Sequence, residues 1–217
     1  MLYNKHMDAV YILGKGSLVQ NAELRYSVRS LVQNMRDLDS VFIVGERVDF
    51  LPTALHIPAE DEYPKAWQNA LYKTRLACAN QQLSTEFLLM NDDFFLTKPF
   101  DGADFAYYAR EHGNGGSSGR HDFSVHCPMR LNKEFYAAMP LSLDARGDFS
   151  PRSFYANYYR APAKFGGDFV IRSGRRLKQF DEQIGDRGFF SISDGDMLDP
   201  DFKNWLAEKW PKRCRFE

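Results

Sequence analysis

The residues best suited to chemistry in this chain are Asp92 and Asp93, two adjacent carboxylates preceded by the amide of Asn91. They interrupt a run, Phe87 to Leu96, that is otherwise apolar. An ionised carboxylate is costly to take out of water, so such a pair at the end of a core strand calls for a cation or hydrogen-bond donors. Ligands of open α/β sheets also bind at strand ends. The segment therefore reads as a buried strand closed by a metal or phosphate-sugar site. The plainer reading is a turn capped by Asn91 and Asp92, with Asp93 paired to a surface cation.

Further candidates lie elsewhere in the chain. Gly14-Lys15-Gly16-Ser17 follows an apolar strand pattern and precedes a helical one, where a nucleotide can approach the main chain closely. Val19 stands where a dinucleotide fingerprint wants its third glycine, so an ordinary tight turn explains these residues equally well. Arg25 and Arg29 share a helix face; they suit a diphosphate, or a solvated stripe with Glu23. His126 sits in a segment that Pro128 keeps out of helix, and is a candidate general acid, base or metal ligand. Arg152 would neutralise a phosphate leaving group, and Tyr155, Tyr158 and Tyr159 would stack on sugar rings or fill the core. Arg172, Arg175, Arg176 and Lys178 form a solvated face or a contact for a polyanion. Asp194 follows an apolar strand just as Asp92 does, and would complete a metal site or orient a base.

These residues must be positioned by a regular scaffold. Asp8 to Leu13, Val41 to Val44, Ala54 to Ile57 and Phe87 to Met90 read as strands. Between them, Leu24, Val28, Leu31, Val32 and Met35 recur at helical steps, and Trp67 to Leu83 carries a second helical pattern. Strand and helix patterns alternating over the first hundred residues indicate βαβ units, hence an α/β fold with a Rossmann-like, mostly parallel sheet. The second half is irregular, with a helical stretch from Asn132 to Met139, a strand at Phe189 and a final helix from near Pro200. Gly113 to Gly119 has the composition of a flexible linker, natural or engineered.

At 217 residues, with 44% hydrophobic and 15% aromatic content, the chain suits one domain with a substantial core. A net charge of −1 gives no general attraction to nucleic acid or anionic membrane. Cys78, Cys127 and Cys214 lack metal-ligand spacing and read as reduced thiols. No signal peptide and no apolar run long enough to span a bilayer is seen. The expectation is a cytoplasmic protein without a membrane span.

Several of these pieces together resemble the Stealth family of sugar-phosphate transferases. Asp8-Ala9-Val10-Tyr11 with Gly16-Ser17 resembles its opening block. Glu23 to Ser30 with Asn91-Asp92-Asp93-Phe94-Phe95 resembles its long second block, which is the specific one. His126 with Pro128 and Lys133 resembles the third, and Ser193-Asp194 the fourth. The family is similar to GT-A glycosyltransferases, with a nucleotide half and an acidic motif that holds a divalent metal. The resemblance implies a single domain, with residues 1–100 as the nucleotide-binding half and 120–217 as the acceptor side. It implies Mn²⁺ or Mg²⁺ on Asp93 and Asp92, and a nucleotide-diphosphate sugar near Gly14, Lys15, Gly16, Ser17, Arg25, Arg29 and Asn91. Arg152 would take up charge, and His126 or Asp194 would deprotonate the acceptor hydroxyl, of a glycan or a modified DNA base.

Ile12-Leu13-Gly14-Lys15 stands where the family has a Trp-containing segment and an acidic residue, and the chain leaves little room for an acceptor module. Both departures favour simple glycosyl transfer over hexose-1-phosphate transfer. A metal-dependent nuclease or a non-catalytic carbohydrate- or nucleic-acid-binding module are the rival classes.

Overall fold

The computed structural model describes residues 6–15, 17, 19–110, 116–166, 169–171 and 180–217, and the backbone alone of Asp194. Strand β1 (Met7–Ile12) is followed by helix α1 (Ala22–Asn34), strands β2 (Leu38–Gly45) and β3 (Leu55–Pro58), and helix α2 (Ala66–Ala79). Strand β4 (Glu86–Met90) then leads into three short strands, β5 (Phe94–Leu96), β6 (Tyr107–Arg110) and β7 (Met129–Asn132). The remainder holds α3 (Lys133–Ala138), α4 (Pro151–Tyr158), β8 (Ala163–Gly166), α5 (Phe180–Ile184), β9 (Phe189–Ser191) and α6 (Pro200–Lys209).

The main sheet has the order β3-β2-β1-β4-β7, parallel from β3 to β4 and closed by the antiparallel β7. Side chains alternate across a strand, so each strand feeds two cores. Val10, Phe42, Val44, Phe87 and Leu89 meet Trp67, Leu71 and Ala77 of α2 and Tyr136 and Tyr155 of α3 and α4. Ala9, Tyr11, Val41, Ile43, Leu88 and Met90 face the other way, onto Leu24, Val28 and Leu31 of α1. Burial on both faces explains why β1 and β4 are nearly continuous apolar runs.

Asp8 is the exception inside β1. It is 3% exposed, and its carboxylate accepts from Ser40 N at 3.0 Å and Ser84 N at 2.7 Å. It ties the amino end of β1 to its neighbours, at the end opposite the Asn91–Asp93 turn.

The predicted elements appear with shifted boundaries. The second helix stops at Ala79 rather than Leu83, because Asn80 turns to extended backbone. The aromatic-rich segment after Pro151 is a helix capped by the Ser150 hydroxyl, which accepts from Ser153 N. The expected linker needs correction where it is described. Ser118 is buried, and its Oγ accepts from Ser150 N at 2.7 Å. Gly119 takes φ +124°, and the Asn157 side chain fills the place of its missing Cβ. Residues 116–119 are thus packed against α4, while 113–115 lie outside the described residues. Among the described residues, no helix is long and apolar enough to cross a membrane.

Candidate active site

Strands β2 and β3 lie on one side of β1 and β4 on the other, so the loops after β1 and β4 leave the sheet side by side where the strand order reverses. Tyr11 pairs with Met90, so Leu13–Lys15 and Asn91–Asp93 follow the two strands from neighbouring ends. This is where open α/β sheets take ligands.

Neutral groups among the described residues help hold the turn after β4. Phe94 N donates to Asn91 O at 3.2 Å, which closes the turn around Asp92 and Asp93. Strand β5 has β9 on one edge, and Ile192 N donates to Asp93 O at 3.3 Å. Along its other edge, the Ser27 hydroxyl donates to Phe94 O. Leu96 N donates to Ser30 Oγ at 3.0 Å, and Asn34 Nδ2 donates to Leu96 O at 2.9 Å. Helix α1 thereby satisfies a strand edge that would otherwise leave buried main-chain groups unpaired. Tyr11 Oη lies 3.0 Å from Ser27 Oγ, which extends the network to β1. Burial pushes the Tyr11 phenol far above its ordinary value, and the Asp92 charge adds to this, so it stays protonated.

The loop after β1 is held by charge. Lys73 of α2 is 2% exposed and donates to Leu13 O at 2.7 Å and to Asp61 Oδ1 at 2.5 Å. Asp61 Oδ2 in turn accepts from Lys15 N at 3.0 Å. Burial would raise the Asp61 pKa, but Lys73 and the Lys15 amide outweigh it and hold the carboxyl below its ordinary value. Ser17 Oγ donates to Glu23 at 3.0 Å and accepts from Asn21 N at 2.9 Å, so it closes the entry to α1. Beside this loop opens a cavity of about 420 Å³, lined by residues that include Gly14, Lys15, Asp61, Asn69 and Lys73.

Arg152 joins the second half of the chain to this end of the sheet. Its guanidinium donates to Cys127 O, next to His126, and lies 5.6 Å from the Phe94 ring centroid. Its Nε is buried with no acceptor among the described residues. Asn91, Asp92, Asp93 and His126 are all half-buried. The Asp194 backbone follows Ile192 by two residues and opens a 3-10 turn, Asp194–Leu198.

Arg25 and Arg29 find their partners elsewhere. Arg29 donates to both Glu217 oxygens at 2.7 and 2.9 Å and to Trp210 O at 2.9 Å. Arg25 lies 3.6 Å from Glu217 and 4.6 Å from the Phe50 ring centroid. Their partners are in the C-terminal segment and after β2, not in the strand-end turn. Lys133 donates to Leu83 O at 2.6 Å at the opposite end of β4, and the Tyr155 hydroxyl accepts from Asn132 N at 3.1 Å there. Tyr159 donates to Phe135 O at 2.7 Å, and Tyr158 is 54% exposed beside it. These tyrosines thus serve α3 and α4. Gly16, Arg172, Arg175, Arg176 and Lys178 lie outside the described residues.

No protein-family model matches the chain, and no curated protein sequence does. Solved structures do. A galactosyltransferase, LgtC, crystallised with donor and acceptor sugar analogs, superposes with a TM-score of 0.55 at 10% identity, covering 94% of each chain. An active-site mutant of LgtC gives 0.57 at 9% identity, covering 96% of this chain and 98% of that one. The chain has the fold of LgtC. That fold is of the GT-A type, with a mostly parallel sheet flanked by helices, as the alternating patterns predicted.

Sequence reasoning missed Lys73, Asp61, Ser27, Ser30 and Asn34. A polar file at 27, 30 and 34 runs beside the apolar stripe of α1, and a lysine sits among the buried positions of α2. Both were visible as polar residues on the inward side of an amphipathic pattern. A metal was expected on Asp93 and Asp92. Among the described residues, no three His, Cys, Asp or Glu side chains converge. Two carboxylates on one strand-end turn nonetheless fit a cation that takes its other ligands from phosphate and water.

Proposed function

We propose that the chain is a glycosyltransferase that moves a sugar from a nucleotide-diphosphate sugar to an acceptor hydroxyl. The observation that carries this is that three features belong to the same end of a GT-A-like sheet, the first two following the neighbouring strands β4 and β1. They are the acidic turn Asn91–Asp93, the cavity beside Gly14 and Lys15, and Arg152 leaning between Phe94 and Cys127. LgtC, with the same fold, is a galactosyltransferase that binds donor and acceptor sugar analogs.

In this reading Asp93 and Asp92 hold Mn²⁺ or Mg²⁺, which supplies charge neutralisation to the departing nucleotide diphosphate. Gly14 to Ser17 form the wall against which the nucleotide lies, and Asn91 donates to its sugar or phosphate. Arg152 adds a fixed positive charge near the diphosphate. His126 or Asp194 takes the proton of the acceptor hydroxyl, worth typically about 10²–10⁴-fold in rate. Arg29 is given no part in it, since it is engaged by Glu217. The half of the chain before residue 100 carries the nucleotide and the half after 120 the acceptor, within one domain.

The Stealth-like alternative, transfer of hexose-1-phosphate, uses the same residues and differs in the bond broken. It rests on the likeness of the Glu23–Ser30 and Asn91–Phe95 blocks. Incubating the full chain with a panel of nucleotide sugars, Mn²⁺ and a simple glycoside, with mass analysis of the products, tests both. Release of a nucleoside diphosphate means glycosyl transfer, and release of a nucleoside monophosphate means phosphotransfer. Asp93→Asn is expected to lower either by about 10²-fold or more. Turnover unaffected by Asp93→Asn would sink the proposal.

A further inference from the structure

We propose that Lys73 is a positioning residue of the donor site, holding the loop after β1 in the shape that receives a nucleoside diphosphate. The inference rests on the donor-site reading above and adds a residue to it. Lys73 lies on α2 among buried Leu71, Thr74 and Ala77, where the helix periodicity asks for an apolar side chain. Its ammonium is sealed from water at 2% exposure, with Leu13 O at 2.7 Å and Asp61 Oδ1 at 2.5 Å as acceptors. Asp61 carries the contact onward to Lys15 N at 3.0 Å. One ion pair therefore fixes the main chain on both sides of Gly14.

The loop is set from beneath as well. Leu13 N donates to Val44 O at 2.9 Å. Gly45 takes φ +121°, and a Cβ there would lie 2.1 Å from Leu13 O. The loop thus rests directly on the β2 backbone, in a space that only glycine leaves open. Asp61 is 30% exposed, so one edge of the clamp forms part of the cavity wall.

Stability alone does not account for this arrangement. Lys73 is buried and Asp61 is 30% exposed, and replacing a desolvated ion pair by apolar groups of similar shape is often neutral or stabilising. An apolar pair could fill the same volume under the loop. It could not bond to Leu13 O and Lys15 N, which are the groups that set the wall of the cavity.

The test uses the full chain and the variants Lys73→Met, Asp61→Asn and the two combined. Melting temperatures are recorded first. Calorimetric titration follows, with UDP, GDP and ADP in Mn²⁺, using whichever the wild type binds tightest. Each single variant is expected to melt earlier and bind more weakly. The double variant is expected to recover most of the melting temperature yet bind at least tenfold more weakly than wild type. A double variant that is stable and binds within twofold of wild type would overturn the proposal.

Amide exchange on the wild type supplies a second reading that needs no variant. The Lys15 amide, though in an exposed loop, is expected to exchange at least tenfold more slowly than the amides of Glu46 and Arg47. Equal exchange would also overturn the proposal. If the wild type binds none of the three diphosphates, the donor site itself fails, and the exchange of Lys15 still reports separately on the clamp.

Discussion

Two cation–carboxylate pairs with a largely buried cation sit on α1 and α2, and they do different work. Arg29 meets Glu217 through two parallel hydrogen bonds, with side chains 10% and 5% exposed, and fastens the last residues of the chain to α1. Lys73 meets Asp61 through one short contact and directs another donor to Leu13 O beside the cavity. The sequence made Arg29 look functional, because it shares a helix face with Arg25 after a glycine-rich loop. It made Lys73 look incidental. The difference lies in what each cation touches besides its carboxylate. Arg29 touches the end of the chain, and Lys73 touches the main chain of a loop at the strand ends.

Removing one partner from each pair sharpens that contrast. Lys73→Met alone removes the donor to Leu13 O and leaves Asp61, 30% exposed, to water, and is expected to cost about 1–3 kcal/mol. At about 2–4 °C per kcal/mol for a chain of this size, a melting shift of roughly 2–12 °C should follow. Arg29→Met is expected to cost more, about 3–5 kcal/mol, because it leaves Glu217, its side chain 5% exposed, without its hydrogen-bonded cation. Nucleotide affinity should fall with the first and stay within twofold with the second. Equal losses of affinity would erase the distinction between the pairs.

A smaller effect probes the neutral scaffold on the other side of the site. Ser27→Ala leaves Phe94 O and the Tyr11 hydroxyl short of a partner, and is expected to cost about 1–3 kcal/mol. Amide exchange should rise across residues 92–96 and remain unchanged at Lys15, since the two loops are held by separate groups. Acceleration in both loops would show them to be one unit.

The smallest expected effect is in pH. Asp61 and Glu217 both lie below their ordinary values of 3.8 and 4.5, against burial that would raise them, because Lys73 and Arg29 hold their charges. The unfolded chain therefore takes up more protons than the folded one as pH falls. The stability that these carboxylates contribute is fully present above their ordinary values and is lost as pH falls through the folded ones. Denaturant titrations between about pH 6 and 3 should show stability dropping below about pH 4, with a gentler slope in Glu217→Gln. An unchanged slope would mean that the Arg29 pair adds nothing on the acid side.

The scaffold was legible where periodicity was strong. Strands β1, β2 and β4 are buried on both faces, so their apolar runs stood out, and α1 and α6 carried helical spacing. The acidic turn was legible because Asp92 and Asp93 end such a run. The pairing of β5 with β9 was not, since it joins three-residue strands about a hundred positions apart. The roles of Arg29 and Lys73 were hidden for a related reason. A charge on a helix reads as solvated unless its partner is known, and Glu217 and Asp61 are brought in only by the tertiary fold. Asp8, quoted only as part of a resembling block, ties strand ends together at the far side of the sheet.

The most direct test of the donor site is a calorimetric titration of the full chain with UDP, GDP and ADP, in Mn²⁺ and then in EDTA, for wild type and Asp93→Asn. The account predicts binding of one diphosphate that weakens at least tenfold without metal and to the same degree in Asp93→Asn. Binding of none of them, or binding indifferent to both metal and Asp93, would contradict it.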